Sequence, residues 1–202
     1  MTLDDINNFI GDIDLELLDQ LLKGNFSQRH TILEIGCGLG RNMIPFLNLK
    51  KALYGIDIDL ANVEVCRIIA RSLGGNPAYI KQSDASMIPA ENDFFDAIIN
   101  CRVMHFATSI KVFKKQWEEQ IRVLKKGGLL YMSMDAILQN EDIAVKITED
   151  IAQFNDQSLR LVLTEKLLEQ IQLTTHFKLL EPIKTIRFNN EHAHAILVLE
   201  KR

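Results

Sequence analysis

The sequence predicts an α/β fold: a seven-stranded sheet, mostly parallel with an antiparallel terminal strand, and helices on both faces. Three observations predict it. Short apolar runs alternate with amphipathic stretches through residues 31–134, the pattern of parallel strands covered on both sides. The run Ile32-Leu33-Glu34-Ile35 passes straight into a glycine-rich turn, Gly36-Cys37-Gly38-Leu39-Gly40, that opens a helix. Two late apolar segments, 177–187 and 192–201, are joined by only Phe188-Asn189-Asn190-Glu191, too short for a parallel crossover, so they predict an antiparallel hairpin.

In chain order, residues 12–24 predict a first helix with Leu15, Leu18 and Leu22 on one stripe, an aspartate cap and Gly24 past its end. Strand 1 is Thr31–Ile35, and the helix after Gly40 carries Met43, Ile44, Phe46 and Leu47. Strand 2 runs over 52–57 and is followed by a helix over 61–72 with Val65, Ile68 and Ile69 apolar, stopped by Gly74-Gly75-Asn76-Pro77. Strand 3 falls at 78–81 and strand 4 at 94–100. A long helix over 109–126 presents Phe113, Trp117, Ile121 and Leu124 on one face, with Lys125-Lys126-Gly127-Gly128 as its stop. Strand 5 covers 129–134; residues 135–163 have weak periodicity with helical hints at 143–154; a capped helix follows at 164–173.

At 202 residues, with 47% hydrophobic and 25% charged, the chain fits one globular domain, with residues 1–30 as a helical cover and 135–163 as a substrate-side insertion. A net charge of -4 gives no support to a polyanionic partner such as nucleic acid. Cys37, Cys66 and Cys101 are odd in number and widely spaced, which predicts neither a disulfide framework nor a zinc cluster and fits a cytoplasmic setting. The acidic N-terminus lacks the basic start of a secretory leader, and no run is long and apolar enough for a membrane span. The expected assembly is a monomer or homodimer.

The turn after strand 1 leaves backbone N–H groups for a polar ligand. A dinucleotide fingerprint would place its third glycine where this chain has Arg41. Glu34, two residues before the first glycine, opposes a pyrophosphate but suits a ligand bearing an amino group. Asp57 ends strand 2, where a carboxylate accepts from both ribose hydroxyls. Ile58 is placed to cover a base, Asp84 to accept from its exocyclic amine, and Ala85 to offer a backbone N–H.

These residues resemble, in order, the motifs of class I S-adenosylmethionine-dependent methyltransferases. Glu34-Ile35-Gly36-Cys37-Gly38-Leu39-Gly40 is similar to the first motif, Gly55-Ile56-Asp57-Ile58-Asp59 to the second and Ser83-Asp84-Ala85 to the third. The segments 95–105 and 122–130 are similar to the strand-4 motif and to the passage into strand 5. The resemblance spans residues 12–134. Gly40-Arg41-Asn42 and Val103-Met104-His105-Phe106 are particularly similar to the small bacterial type-11 and tellurite-resistance-like branch. The resemblance implies a Rossmann-like fold, S-adenosylmethionine as cofactor and S-adenosylhomocysteine as product. It implies cofactor contacts from Glu34, Gly36, Cys37, Gly38, Gly40, Asp57, Ile58, Asp84, Ala85 and Asn100.

On the acceptor side it implies Arg41, Arg102 and Phe106, with His105 the candidate general base. Asn100-Cys101-Arg102-Val103 departs from the Asn/Asp-Pro-Pro-aromatic motif of amino-group methyltransferases acting on DNA and glutamine. No metal site is expected, since His192 and His194 lack a third ligand. The expected reaction is in-line methyl transfer to a small-molecule acceptor. A protein or RNA acceptor, hinted at by Lys111, Lys114 and Lys115, and a non-catalytic cofactor-binding domain stand as alternatives.

Overall fold

The computed structural model describes residues 2–138, 145–148, 150–171, 173–188 and 192–202. Five parallel strands form the centre: β1 (Thr31–Ile35), β2 (Ala52–Asp57), β3 (Ile80–Gln82), β4 (Phe95–Cys101) and β5 (Leu124–Asp135). β11 (His192–Lys201) runs antiparallel beside β5, and β9 (Phe177–Leu179) and β10 (Lys184–Phe188) pair with β11. The order is β10-β11-β5-β4-β1-β2-β3, with β9 on β11, so the sheet has eight strands rather than seven. The extra strand comes from Pro182, which stands between β9 and β10 in what the sequence reads as one continuous run and cannot donate to a ladder.

Alternation along the strands divides the core. Leu33, Ile35, Ile98, Leu130 and Met132 face α5 (Ile110–Val123), whose Phe113 and Trp117 are buried. Ile32, Ile99 and Tyr131 face the opposite layer, α2 (Leu15–Leu22), α3 (Met43–Asn48) and α4 (Leu60–Ser72). α1 (Leu3–Ile10), closed by a Thr2–Asp5 capping box, is an element absent from the sequence reading.

Four expectations need correction. In α2 the buried side chains are Leu17 and Gln20, while Leu15 and Leu22 are about as exposed as free side chains at 77% and 78%. In α4 the inner face is Val63, Cys66 and Ala70, not Val65 and Ile68. α5 ends at Val123, because Leu124 already pairs with Phe95 of β4 and β5 bulges between Leu124 and Leu129, opposite Phe95 and Ala97, with Gly127 at φ +71°. In place of the helical hints, β6 (Val145–Lys146), β7 (Ile151–Gln153) and β8 (Leu159–Leu161) form a small antiparallel sheet; Ile143 and Ala144 lie outside the described residues. The predicted helix at 164–173 is α6 (Glu165–Gln170), capped by Thr164, followed by the short α7 (Leu173–His176). Of the predicted hairpin connection, residues 189–191 lie outside the described residues.

Candidate active site

The C-terminal ends of β1, β2 and β4 open onto a cleft of ≈ 390 Å³ whose lining includes Gly36, Asp57, Ile58, Asp84, Ala85, Arg102, Val103, Phe106 and Gln116. This is the edge at which open α/β sheets bind ligands, because the parallel strands end there in loops. The first glycine turn is held by two demands. Gly36 has φ +63°, and a Cβ there would stand 2.4 Å from Val103 Cγ2. Gly38 has φ +52°, and a Cβ there would meet nothing closer than 4.0 Å. Its N–H donates to Asp57 Oδ2 at 2.8 Å, tying the glycine turn to the end of β2.

Asp57 is further fixed through Oδ1, which accepts from the Asp59 N–H at 2.9 Å and from Asn62 Nδ2 at 3.3 Å. Ile58 is 69% exposed, an apolar face presented to the cleft. Asp84 Oδ1 accepts from the Ser86 N–H at 2.7 Å, and Ala85 is buried against the core. Cys37 is buried under the turn; the neighbouring Cys66 thiol and burial both push its own thiol far above the ordinary range, so it is an inert packing residue. Gly40 sits against Ile69 and Cys66, where a Cβ would come within 2.9 Å.

Glu34 is buried behind this turn. Asn42 Nδ2 donates to its Oε1 at 3.0 Å, while Oε2 has no partner among the described residues. Burial raises its pKa to about 8 against the opposing effects of Asn42 and Arg41, so the carboxyl is largely protonated at neutral pH.

Asn100 does not line the cleft. It is fully buried beneath the floor and its Nδ2 donates to Gln120 Oε1 at 3.0 Å. His105 is also turned away: it is 4% exposed, and its Nδ1 accepts from the Asp135 N–H at 3.4 Å. Burial lowers its pKa to about 4 although Asp135 opposes the shift, so the imidazole is neutral at pH 7. His194 Nε2 stands 2.9 Å from Asp135 Oδ1, and Arg160 donates to Oδ2 at 3.0 Å. Among the described residues no group of three or more His, Cys, Asp or Glu side chains could hold a metal.

Sequence reading passed over two cleft residues, Asn62, the donor to Asp57, and Gln116. Gln116 is 7% exposed, and its Oε1 finds no partner among the described residues. An amide between Phe113 and Trp117 on the apolar face of α5 was the signal. Arg102, in the left-handed region at φ +61°, also lines a second cleft of ≈ 480 Å³, shared with Arg41, Asp14, Ser133 and His194.

The residues present fit S-adenosylmethionine, the ligand implied by the motifs. Open space over Gly38 admits a ligand beside the turn, the Asp57 carboxylate ends β2, and the unpartnered Gln116 oxygen is an acceptor in the same cleft.

Residues 33–132 match the family model described as methyltransferase domain. A ubiquinone biosynthesis O-methyltransferase of Chelativorans sp. (strain BNC1) is 31% identical over 102 residues, covering 50% of this chain and 39% of that one. A tRNA (carboxymethyluridine(34)-5-O)-methyltransferase of Arabidopsis thaliana is 30% identical over 112 residues, covering 54% of this chain and 25% of that one. The chain thus spans well under half the length of these two curated relatives. Among solved structures, the Burkholderia thailandensis 1,6-didemethyltoxoflavin-N1-methyltransferase, with its bound 1,6-didemethyltoxoflavin and S-adenosylhomocysteine, aligns with a TM-score of 0.69. That alignment covers 98% of this chain and 82% of the other at 14% identity, a likeness of fold. Taken with the ordered motifs, these matches establish that the chain belongs to the class I S-adenosylmethionine-dependent methyltransferases, in their type-11 branch.

Proposed function

We propose that this chain transfers the methyl group of S-adenosylmethionine to a small-molecule acceptor. The observation that carries the proposal is the pair of clefts meeting at Arg102: one lies over the glycine turn and Asp57, the other has a volume suited to a small ligand. In this reading Gly36, Gly38 and Gly40 shape the turn, Asp57 holds the ribose hydroxyls, and Ile58 covers the base. Asp84 and Ala85 take its polar edge. S-adenosylmethionine, when bound, supplies an electrophilic methyl group on a sulfonium. The chain's own part is to bind both partners, hold the acceptor in line and exclude water. Val103 and the exposed Phe106 wall the cleft near its junction with the second one. His105 supports from below; its Nδ1 is engaged by the Asp135 backbone, and methyl transfer to a sufficiently nucleophilic acceptor needs no dedicated base.

Calorimetric titration with S-adenosylhomocysteine tests this reading. Wild type should bind, and Asp57→Ala should bind more weakly by about 1–3 kcal/mol through loss of charge-assisted hydrogen bonds. Absence of binding to wild type would refute the assignment.

A further inference from the structure

The junction of the two clefts is built around one buried carboxylate. Asp14, 7% exposed, caps α2: its Oδ1 accepts from the Glu16 and Leu17 N–H groups at 3.2 and 3.3 Å and from Tyr131 Oη at 3.1 Å. Its Oδ2 faces two guanidiniums, Arg41 at 3.5 Å and Arg102 at 3.4 Å. Two positive charges therefore share one negative charge. Beyond Asp14, the side-chain contact these guanidiniums make among the described residues is that of Arg41 with the Cys101 sulfur at 3.9 Å. Most of the N–H donors of both forks lack an acceptor among the described residues, and both side chains are partly open, at 40% and 42% exposure.

Among the described residues, Asp14 is the carboxylate that both guanidiniums contact; the other carboxylates of the second cleft lie apart from them. Glu16 faces Lys184 at 3.5 Å, a lysine it shares with Asp19 and Glu181, and Asp12 lies exposed, where water screens it. The backbone also holds Arg102 in place at a cost. A non-glycine residue at φ +61° stands in the left-handed region that side chains disfavour, and the Arg102 N–H donating to Ser133 O at 2.9 Å keeps it there. That conformation puts the side chain at the boundary of the two clefts.

We propose that the second cleft is the acceptor pocket and that it takes a small acceptor bearing a carboxylate, gripped by the forks of Arg41 and Arg102. Paired N–H donors match the two oxygens of a carboxylate, and Asp14 fixes the spacing of the forks. The inference rests on the methyltransferase reading. The same guanidiniums could instead serve the cofactor's own carboxylate, and the test separates the two sources.

Thermal denaturation is followed with saturating S-adenosylhomocysteine and a panel of hydroxy- and amino-benzoates and aliphatic hydroxy acids, each paired with its primary amide. At least one carboxylate should raise the midpoint by about 3 °C at tenfold its Kd, while its amide leaves the midpoint unchanged. Arg41→Gln and Arg102→Gln should each abolish that shift and change the calorimetric affinity for S-adenosylhomocysteine less than about threefold, which also shows that the variants are folded. Amides that stabilise as well as acids, or a panel with no stabilising acid, would overturn the inference. So would a tenfold or greater loss of S-adenosylhomocysteine affinity in both variants, since the arginines would then serve the cofactor. Failure of wild type to bind S-adenosylhomocysteine is read separately, by titration without the panel, and removes the methyltransferase reading together with the inference.

Discussion

Glu34 is the buried group through which pH is expected to reach ligand binding. Its folded pKa of about 8 lies above the ordinary carboxylate value, so the stability it contributes is fully present below about pH 4.5 and is lost as pH rises toward 8. A cationic amino group brought beside it would favour the charged form and expel a proton. Calorimetry of S-adenosylhomocysteine at pH 7, in buffers of different ionisation enthalpy, should therefore show proton release by wild type and none by Glu34→Gln. The same variant should have a flatter stability profile between pH 5 and 8. The glycines of the turn supply a second contrast. Gly36→Ala drives a Cβ into Val103 and should unfold or strongly destabilise the chain, whereas Gly38→Ala meets open space and should cost about 1 kcal/mol for its positive φ. In the second variant S-adenosylhomocysteine binding should fall at least tenfold while thermal stability changes little.

Elements, rather than single residues, are coupled through Asp135. It ends β5, and its contacts reach the loop after β4 through His105, β8 through Arg160, and β11 through His194. Arg160 also lies over the Phe154 ring, 4.9 Å from its centroid, so the guanidinium that reaches Asp135 of the large sheet is itself held by an aromatic contact inside the small one. Burial resists ionisation of Asp135, but His194, His105 and Arg160 outweigh it and hold the pKa low; the stability this group contributes is lost only as pH falls below the usual carboxylate range. His105 acts earlier. Its folded pKa of about 4 lies below the unfolded 6.5, so the unfolded chain binds the extra proton and stability is lost as pH falls from 6.5 to 4. Urea denaturation at pH 7 and pH 4.5 should show wild type losing on the order of 2–3 kcal/mol more than His105→Asn over that interval.

For the molecule as a whole, the parallel centre was legible because its strands are buried on both faces and read as apolar runs bounded by turn residues. The edge that carries the candidate cleft was legible for the same reason, since Gly36, Asp57 and Ala85, which line it, each end or follow a strand. Periodicity failed where leucine is abundant: in α2, five leucines in eight residues fit two stripes, and packing into the core layer shared with α3 and the sheet selected Leu17 with Gln20. It failed again at Lys125-Lys126-Gly127-Gly128, which serves equally as a helix stop or a bulged strand start. Strands of two or three residues, such as β6 to β8, are too short to display a period. Arg102 and Asp14 are 88 positions apart, and their meeting with Arg41 depends on the crossovers of the sheet. Among the described residues no helix is long and apolar enough to cross a membrane.

The interruption at Pro182 reaches beyond strand counting. An open sheet has two rims of unpaired backbone groups, and either can recruit a neighbouring chain into a growing ribbon. Here one rim is β3, three residues long with Lys81 and Gln82 outward, and the other is the broken pair β9 and β10, which carries Pro182 at the gap and Lys184 and Arg187 on the outer strand. Short, charged and discontinuous rims guard the protein against polymerising edge to edge at the high local concentrations of synthesis and folding.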